Sequence, residues 1–161
     1  LISKALQMDL GKSEFESYVS EVGFILEELS SVRKNIDDWM APKRVPTPLS
    51  LLPGKSVIYS EPHGVVLVVA PWNYPFQLCL SPLIGAIAAG NRVVVKPSEI
   101  ASQTSLIIQE IIEDVFEEDE VIVVQGAVEE TTELLNQRYD YIFFTGSTAV
   151  GKVIMKAAAE H

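Results

Sequence analysis

Residues 64–99 read GVVLVVAPWNYPFQLCLSPLIGAIAAGNRVVVKPSE, and this stretch decides the fold. Residues 64–70 (GVVLVVA) and 92–96 (RVVVK) are short, continuous, β-branched apolar runs. Such runs suit strands covered on both faces. Between them, residues 76–89 carry a helical stretch. Strand, helix and strand at this spacing make a parallel unit. The alternation continues outward. Residues 104–116 are predicted helical, 121–125 a strand, 129–137 a helix and 140–145 (DYIFFT) a strand. A last helix runs from Ser147 to the end, with Val150, Val153, Ile154, Ala157 and Ala158 as its apolar stripe. Upstream, residues 57–60 read as one more short strand. The fold class is α/β, a parallel sheet flanked by helices.

Ahead of the sheet stands one long amphipathic helix. Phe15, Tyr18, Val19, Val22, Ile25, Leu26, Leu29, Val32, Ile36, Trp39 and Met40 recur at three- and four-residue steps. Ser13 with Glu16 has the form of a capping box, and Pro42 ends the helix. The stripe is expected to pack on its own domain, with partner binding as the other reading. Pro42, Pro46, Pro48 and Pro53 keep residues 41–55 extended or looped. Residues 1–55 therefore form a helical segment with a crossing loop, and residues 56–161 the α/β portion.

Composition narrows the function. At 161 residues and 48% apolar, the chain can bury a core of its own. Twelve basic against 22 acidic residues give a net charge of -10, which repels nucleic acid and anionic lipid. No apolar run reaches the roughly 20 residues that span a bilayer. One cysteine, Cys79, permits no internal disulfide, and with two histidines it makes no metal-ligand pattern. A reducing, cytoplasmic setting is the expectation.

In parallel sheets, ligands bind beyond the carboxyl ends of the strands. Three loops fall there. In residues 71–75 (PWNYP), two prolines brace Asn73, whose amide N–H suits a developing oxyanion; an asparagine that serves only its own turn is the competing reading. In residues 96–99 (KPSE), Lys96 ends a buried strand and needs an acceptor, while Glu99 can accept from ribose hydroxyls; a surface ion pair is the alternative. In residues 145–151 (TGSTAVG), glycine and small hydroxyl residues at a helix start admit a phosphate, or simply cap the helix. The last spacing is neither G-x-G-x-x-G nor a P-loop.

Taken together, PWNYP (71–75), GAIAAGNRVVVKPSE (85–99) and FFTGSTAVGK (143–152) resemble the aldehyde dehydrogenase superfamily, in that order and at its spacing. Residues 9–40 (DLGKSEFESYVSEVGFILEELSSVRKNIDDWM), followed by EPHG (61–64), are most similar to the class 3 branch, which acts on fatty, aromatic and other medium-to-long aldehydes. The resemblance covers essentially the whole chain. It implies a Rossmann-like cofactor domain and oxidation of an aldehyde through a cysteine thiohemiacetal and thioester.

Carried over residue by residue, the resemblance makes Asn73 the oxyanion donor and Lys96 with Glu99 the holders of the adenosine ribose. It assigns Trp72, Pro97, Ser98, Gly126, Gly146, Ser147, Val150 and Gly151 to the cofactor surface as well. Glu99 favours a free 2'-hydroxyl and hence NAD, with some use of NADP because Lys96 softens the repulsion. The resemblance also implies a homodimer. The family's nucleophilic cysteine and general-base glutamate follow the third loop, in chain expected beyond His161, so the catalytic domain is expected to be absent here and residues 1–161 inactive alone. Cys79 is expected to be a buried structural thiol. Two alternatives share parts of the pattern: a reductase of acyl phosphates or acyl-CoA esters, which PWNYP and KPSE disfavour, and a non-catalytic dinucleotide-binding or interaction module.

Overall fold

The computed structural model describes residues 1–160. Its centre is a four-stranded parallel sheet, β3 (Val65–Val69), β4 (Arg92–Lys96), β5 (Val121–Val123) and β6 (Tyr141–Phe144), in the spatial order β5-β4-β3-β6. The helices α4 (Gln77–Ala88), α5 (Ser102–Val115), α6 (Val128–Leu135) and α7 (Thr148–Ala158) alternate with these strands. A 3-10 turn, Glu99–Ala101, leads into α5. The observed strands and helices match the predicted alternation, with ends shifted by no more than two residues except at the end of α7.

The two faces of the sheet bury different clusters. Val66, Val68, Val93, Val95 and Val121 pack with Leu80, Leu83, Ile108 and Ile112 of α4 and α5. Leu67 and Val69 pack with Leu135 of α6 and Ile154 of α7. Alternate side chains of β3 thus enter opposite layers, which is why its sequence is apolar throughout. β6 is the edge on one side; among the described residues it pairs only with β3, and Tyr141 and Phe143 stay exposed.

Strand order locates the ligand crevice. From the central β3 the chain steps outward through β4 to β5, then returns to place β6 on the other side of β3. That reversal is a topological switch point, where α/β sheets hold ligands beyond the carboxyl strand ends. Registers Val69↔Lys96 and Val69↔Phe144 show that β3, β4 and β6 finish level with one another.

Three expectations need correction. First, a short helix α1 (Ile2–Leu10) precedes the long one and was not predicted; it ends at Gly11 and packs against α5. Second, the long helix is continuous from Glu14 to Met40 but comprises α2 (Glu14–Ser17), a π-helical turn (Tyr18–Val22) and α3 (Gly23–Met40). Ser13 caps it, its hydroxyl accepting the Glu16 N–H at 3.1 Å. The expected stripe is mostly exposed, including Phe15, Val19, Leu26, Trp39 and Met40. The buried seam runs instead through Ser17, Glu21 and Ile25, one α-turn apart, and two of these three are polar. Third, β2 (Ser56–Ile58) does not join the parallel sheet. It pairs antiparallel with β1 (Lys43–Val45), inside the segment expected to be looped. On α7, Ile154 is buried and Ala157 half-buried, while Val150 and Val153 face solvent. The helix expected to run to the end stops at Ala158, with Ala159 and Glu160 in a turn, and His161 lies outside the described residues.

Candidate functional site

Each of the three loops leaves the same rim. The Ala70 N–H donates to the Lys96 carbonyl at 3.0 Å, and the Thr145 N–H to the Val69 carbonyl at 3.1 Å. Residues 71–75, 97–99 and 145–147 therefore start from three adjoining strand ends. Val124 continues the row, its N–H bonding the Val95 carbonyl at 2.9 Å, and so brings the Gly126 turn alongside.

In the first loop, Trp72 and Asn73 are exposed and Pro75 is buried. The hydrogen bonds that hold this loop run through its backbone. Lys12 Nζ donates to the Asn73 carbonyl at 3.1 Å, and Glu21 Oε2 accepts the N–H groups of Phe76 at 2.8 Å and Gln77 at 3.2 Å. Among the described residues, the exposed Asn73 side-chain amide takes no part in these bonds.

In the second loop, Lys96 is 2% exposed, so its ion pair with Glu99 is buried at the lysine end and open only at the carboxylate. Its ammonium donates to the Pro97 carbonyl at 2.7 Å and lies 3.6 Å from the Glu99 carboxylate, which is half-exposed. Burial lowers the Lys96 pKa, against which Glu99 raises it. Ser98 is buried; its hydroxyl accepts the Ile100 N–H at 3.4 Å and its carbonyl accepts the Ser105 hydroxyl at 2.7 Å. Glu99 is thereby placed on a braced turn with one face open.

In the third loop, Ser147 caps α7, its hydroxyl accepting the Val150 N–H at 3.3 Å. Gly146 lies against the Phe144 ring, which a methyl group at residue 146 would strike. Gly151 packs over the same ring. Gly126 precedes α6, where Glu130 accepts the Ala127 N–H at 2.7 Å. A bond to its own backbone, and then the one to Ala127, hold the Glu130 carboxyl below its usual range, and Lys96 adds to the shift across the rim.

The helix starts differ in a way that bears on a phosphate ligand. Carboxylates already occupy three of them: Glu21 on α4, Asp9 on α5, where it accepts the Gln103 and Thr104 N–H groups at 3.1 and 2.7 Å, and Glu130 on α6. The start of α7 carries only the Ser147 hydroxyl, so its positive end is open to an anion. An open helix start, a half-exposed carboxylate beside a buried lysine and an exposed amide fit a dinucleotide's phosphates, ribose and the carbonyl beside it. No cluster of potential metal ligands occurs among the described residues.

Cys79 lies two residues into α4 and is fully buried, and burial pushes its thiol up to about 12. It stays protonated near neutral pH, in agreement with a structural role. Lys12, Glu21, Asp9 and Glu130 were absent from the candidates. Asp9, Lys12 and Glu21 lie 55 to 95 residues from the backbone groups they bind, so no local pattern marks them. A polar Glu21 on the inner seam of an amphipathic helix was the one available signal.

Known proteins carry the same pattern. The chain is 49% identical to aldehyde dehydrogenase family 3 member H1 of Arabidopsis thaliana, over 99% of its length and 33% of that protein's. It is 47% identical to the dimeric NADP-preferring aldehyde dehydrogenase of Rattus norvegicus, over 99% of this chain and 35% of that one. The substrate-bound structure of Staphylococcus aureus AldH superposes with a TM-score of 0.97 at 46% identity, over 99% of this chain and 35% of that chain. The chain thus spans about a third of the length of these relatives. The profile of the aldehyde dehydrogenase family matches residues 1–161. With this match, relatives of class 3 and a shared fold, the chain belongs to the aldehyde dehydrogenase family.

Proposed function

We propose that this chain provides the cofactor-holding rim and the oxyanion-stabilising amide of an NAD(P)-dependent enzyme that oxidises aldehydes to carboxylic acids. The observation that carries the reading is the register of β3, β4 and β6, which sends three chemically distinct loops off one edge at a switch point.

In this reading Glu99 accepts from the ribose hydroxyls, while Lys96 fixes the turn and limits the repulsion of a 2'-phosphate. Pro97 and Ser98 hold that turn in shape, and Gly126 borders the adenine side. Gly146, Ser147, Val150 and Gly151 bring the open end of α7 to the phosphates, and Trp72 shields the approach. When bound, the nicotinamide supplies the two-electron acceptor. Asn73 donates its side-chain N–H to the aldehyde oxygen as negative charge develops on it, the stage at which a fixed donor lowers the barrier most. The nucleophile is a thiolate other than Cys79, whose proton is held by burial. Residues 1–161 alone are therefore expected to form no acid from aldehyde and NAD.

The name of the rat relative supports NADP as a second cofactor and a dimeric assembly. Action in the cytoplasm is part of the same proposal; no helix among the described residues is long and apolar enough to cross a membrane. The test is Asn73→Ala in the full-length protein. We expect kcat to fall by about a hundred- to a thousandfold while the KM for NAD stays within about twofold. An unchanged kcat would remove Asn73 from the chemistry.

A further inference from the structure

Lys12 and Glu21 meet the Asn73 loop without belonging to it. They are 7% and 0% exposed and form an ion pair with each other. From that pair, Lys12 reaches the Asn73 carbonyl at 3.1 Å and lies 4.1 Å from the centre of the Tyr74 ring. Glu21 takes the Phe76 and Gln77 N–H groups at the far end of the same turn. Glu21 sits in the π-helical turn, Tyr18–Val22, a local rearrangement of the helix that is frequent near functional sites.

A buried ion pair is a poor way to stabilise a fold, since an apolar pair of like volume often does as well or better. Geometry explains this one better: the pair tethers residues 73 to 77 at both ends and leaves the Asn73 side chain free. We propose that Lys12 and Glu21 are positioning residues that fix the backbone of this turn, so that the Asn73 amide is held where charge develops on the aldehyde oxygen. The proposal rests on Asn73 being the oxyanion donor.

The experiment is a kinetic cycle in the full-length protein with aldehyde and NAD, using Lys12→Met, Asn73→Ala and the two combined. Lys12→Met is expected to lower kcat about ten- to a hundredfold, as misplacement of a reacting group does, with the KM for NAD within about twofold. In the Asn73→Ala background the same replacement should cost less than about twofold, because both changes act through one amide. If Lys12→Met costs the same factor in both backgrounds, or nothing in the native one, the positioning role is wrong. Should Lys12→Met fail to fold, Lys12→Met with Glu21→Gln removes both charges, keeps an acceptor for Phe76 and Gln77, and is judged by the same two comparisons. An unchanged kcat in Asn73→Ala alone overturns the reading of Asn73 itself and is recognisable as that separate failure.

Discussion

Gly64→Ala tests the division between the two ends of the sheet. Gly64 stands just before β3 with φ at 126°, a conformation that side-chain-bearing residues rarely adopt. Its N–H bonds the Asn91 side-chain oxygen at 3.0 Å and its carbonyl accepts the Arg92 N–H at 3.0 Å. Asp140, ahead of β6, accepts the Val65 N–H at 2.8 Å, and a methyl group at residue 64 would overlap its carboxylate. Backbone strain of about 1–3 kcal/mol adds to roughly 1 kcal/mol for the displaced, solvent-exposed hydrogen bond, for about 2–4 kcal/mol in all. In a domain of this size that lowers Tm by roughly 5–15 °C, read by thermal unfolding followed by circular dichroism. Asp140→Ala relieves the overlap, so the double variant should lose less than the two single losses summed. Gly64 lies at the amino ends of the strands, away from the ligand rim, so the KM for NAD in the full-length protein should stay within about twofold. An unchanged Tm, additive losses or a large shift in that KM would each refute the reasoning.

Burial of Cys79 gives stability a pH dependence of definite sign. Its pKa rises from 9.0 to about 12, so between these values the folded chain keeps a proton that the unfolded chain releases, and stability is lost as pH rises, by up to about 1.4 kcal/mol per pH unit. Lys96, with its pKa lowered from 10.5, acts in the opposite direction as pH climbs toward that value. The difference between the native chain and Cys79→Ala in urea midpoints at pH 8 and 10 isolates the thiol, and parallel slopes would exclude it. Asp9→Ala removes the cap on α5 and should cost about 1–2 kcal/mol in urea unfolding, with partial recovery in Asp9→Asn; no loss would mean that water serves Gln103 and Thr104 equally well. Glu99→Gln should improve the use of NADP relative to NAD by about three- to tenfold in kcat/KM, less than a buried charge would give because Glu99 is half-exposed; a constant ratio would remove Glu99 from the choice of cofactor.

The parallel sheet was legible because its two central strands, β3 and β4, are buried on both faces. Val65–Val69 and Arg92–Lys96 cannot be mistaken for half-solvated strands, and the loops after them announce themselves through proline and glycine. The ligand rim then followed from the rule for parallel units, while the register came from the structure. Legibility failed where packing is decided at a distance. The stripe from Phe15 to Met40 has the right period, yet its buried seam turns on Glu21, whose bonds to Phe76 and Gln77 lie 55 and 56 residues away and show in the helix's own pattern only as one acidic residue on the inner side. Likewise, the prolines after Met40 marked extended chain correctly but concealed the pairing of Lys43–Val45 with Ser56–Ile58. The caps from Asp9 and Glu21 were missed because a carboxylate supplied by another helix resembles any surface aspartate or glutamate.

β6 has a practical consequence for handling the protein. Among the described residues nothing pairs with its outer side, whose backbone groups, flanked by the aromatic rings of Tyr141 and Phe143, make a ready template for a further strand. Residues 1–161 produced by themselves would expose that template to every other copy in solution, and self-association through it would set the usable concentration well before unfolding did.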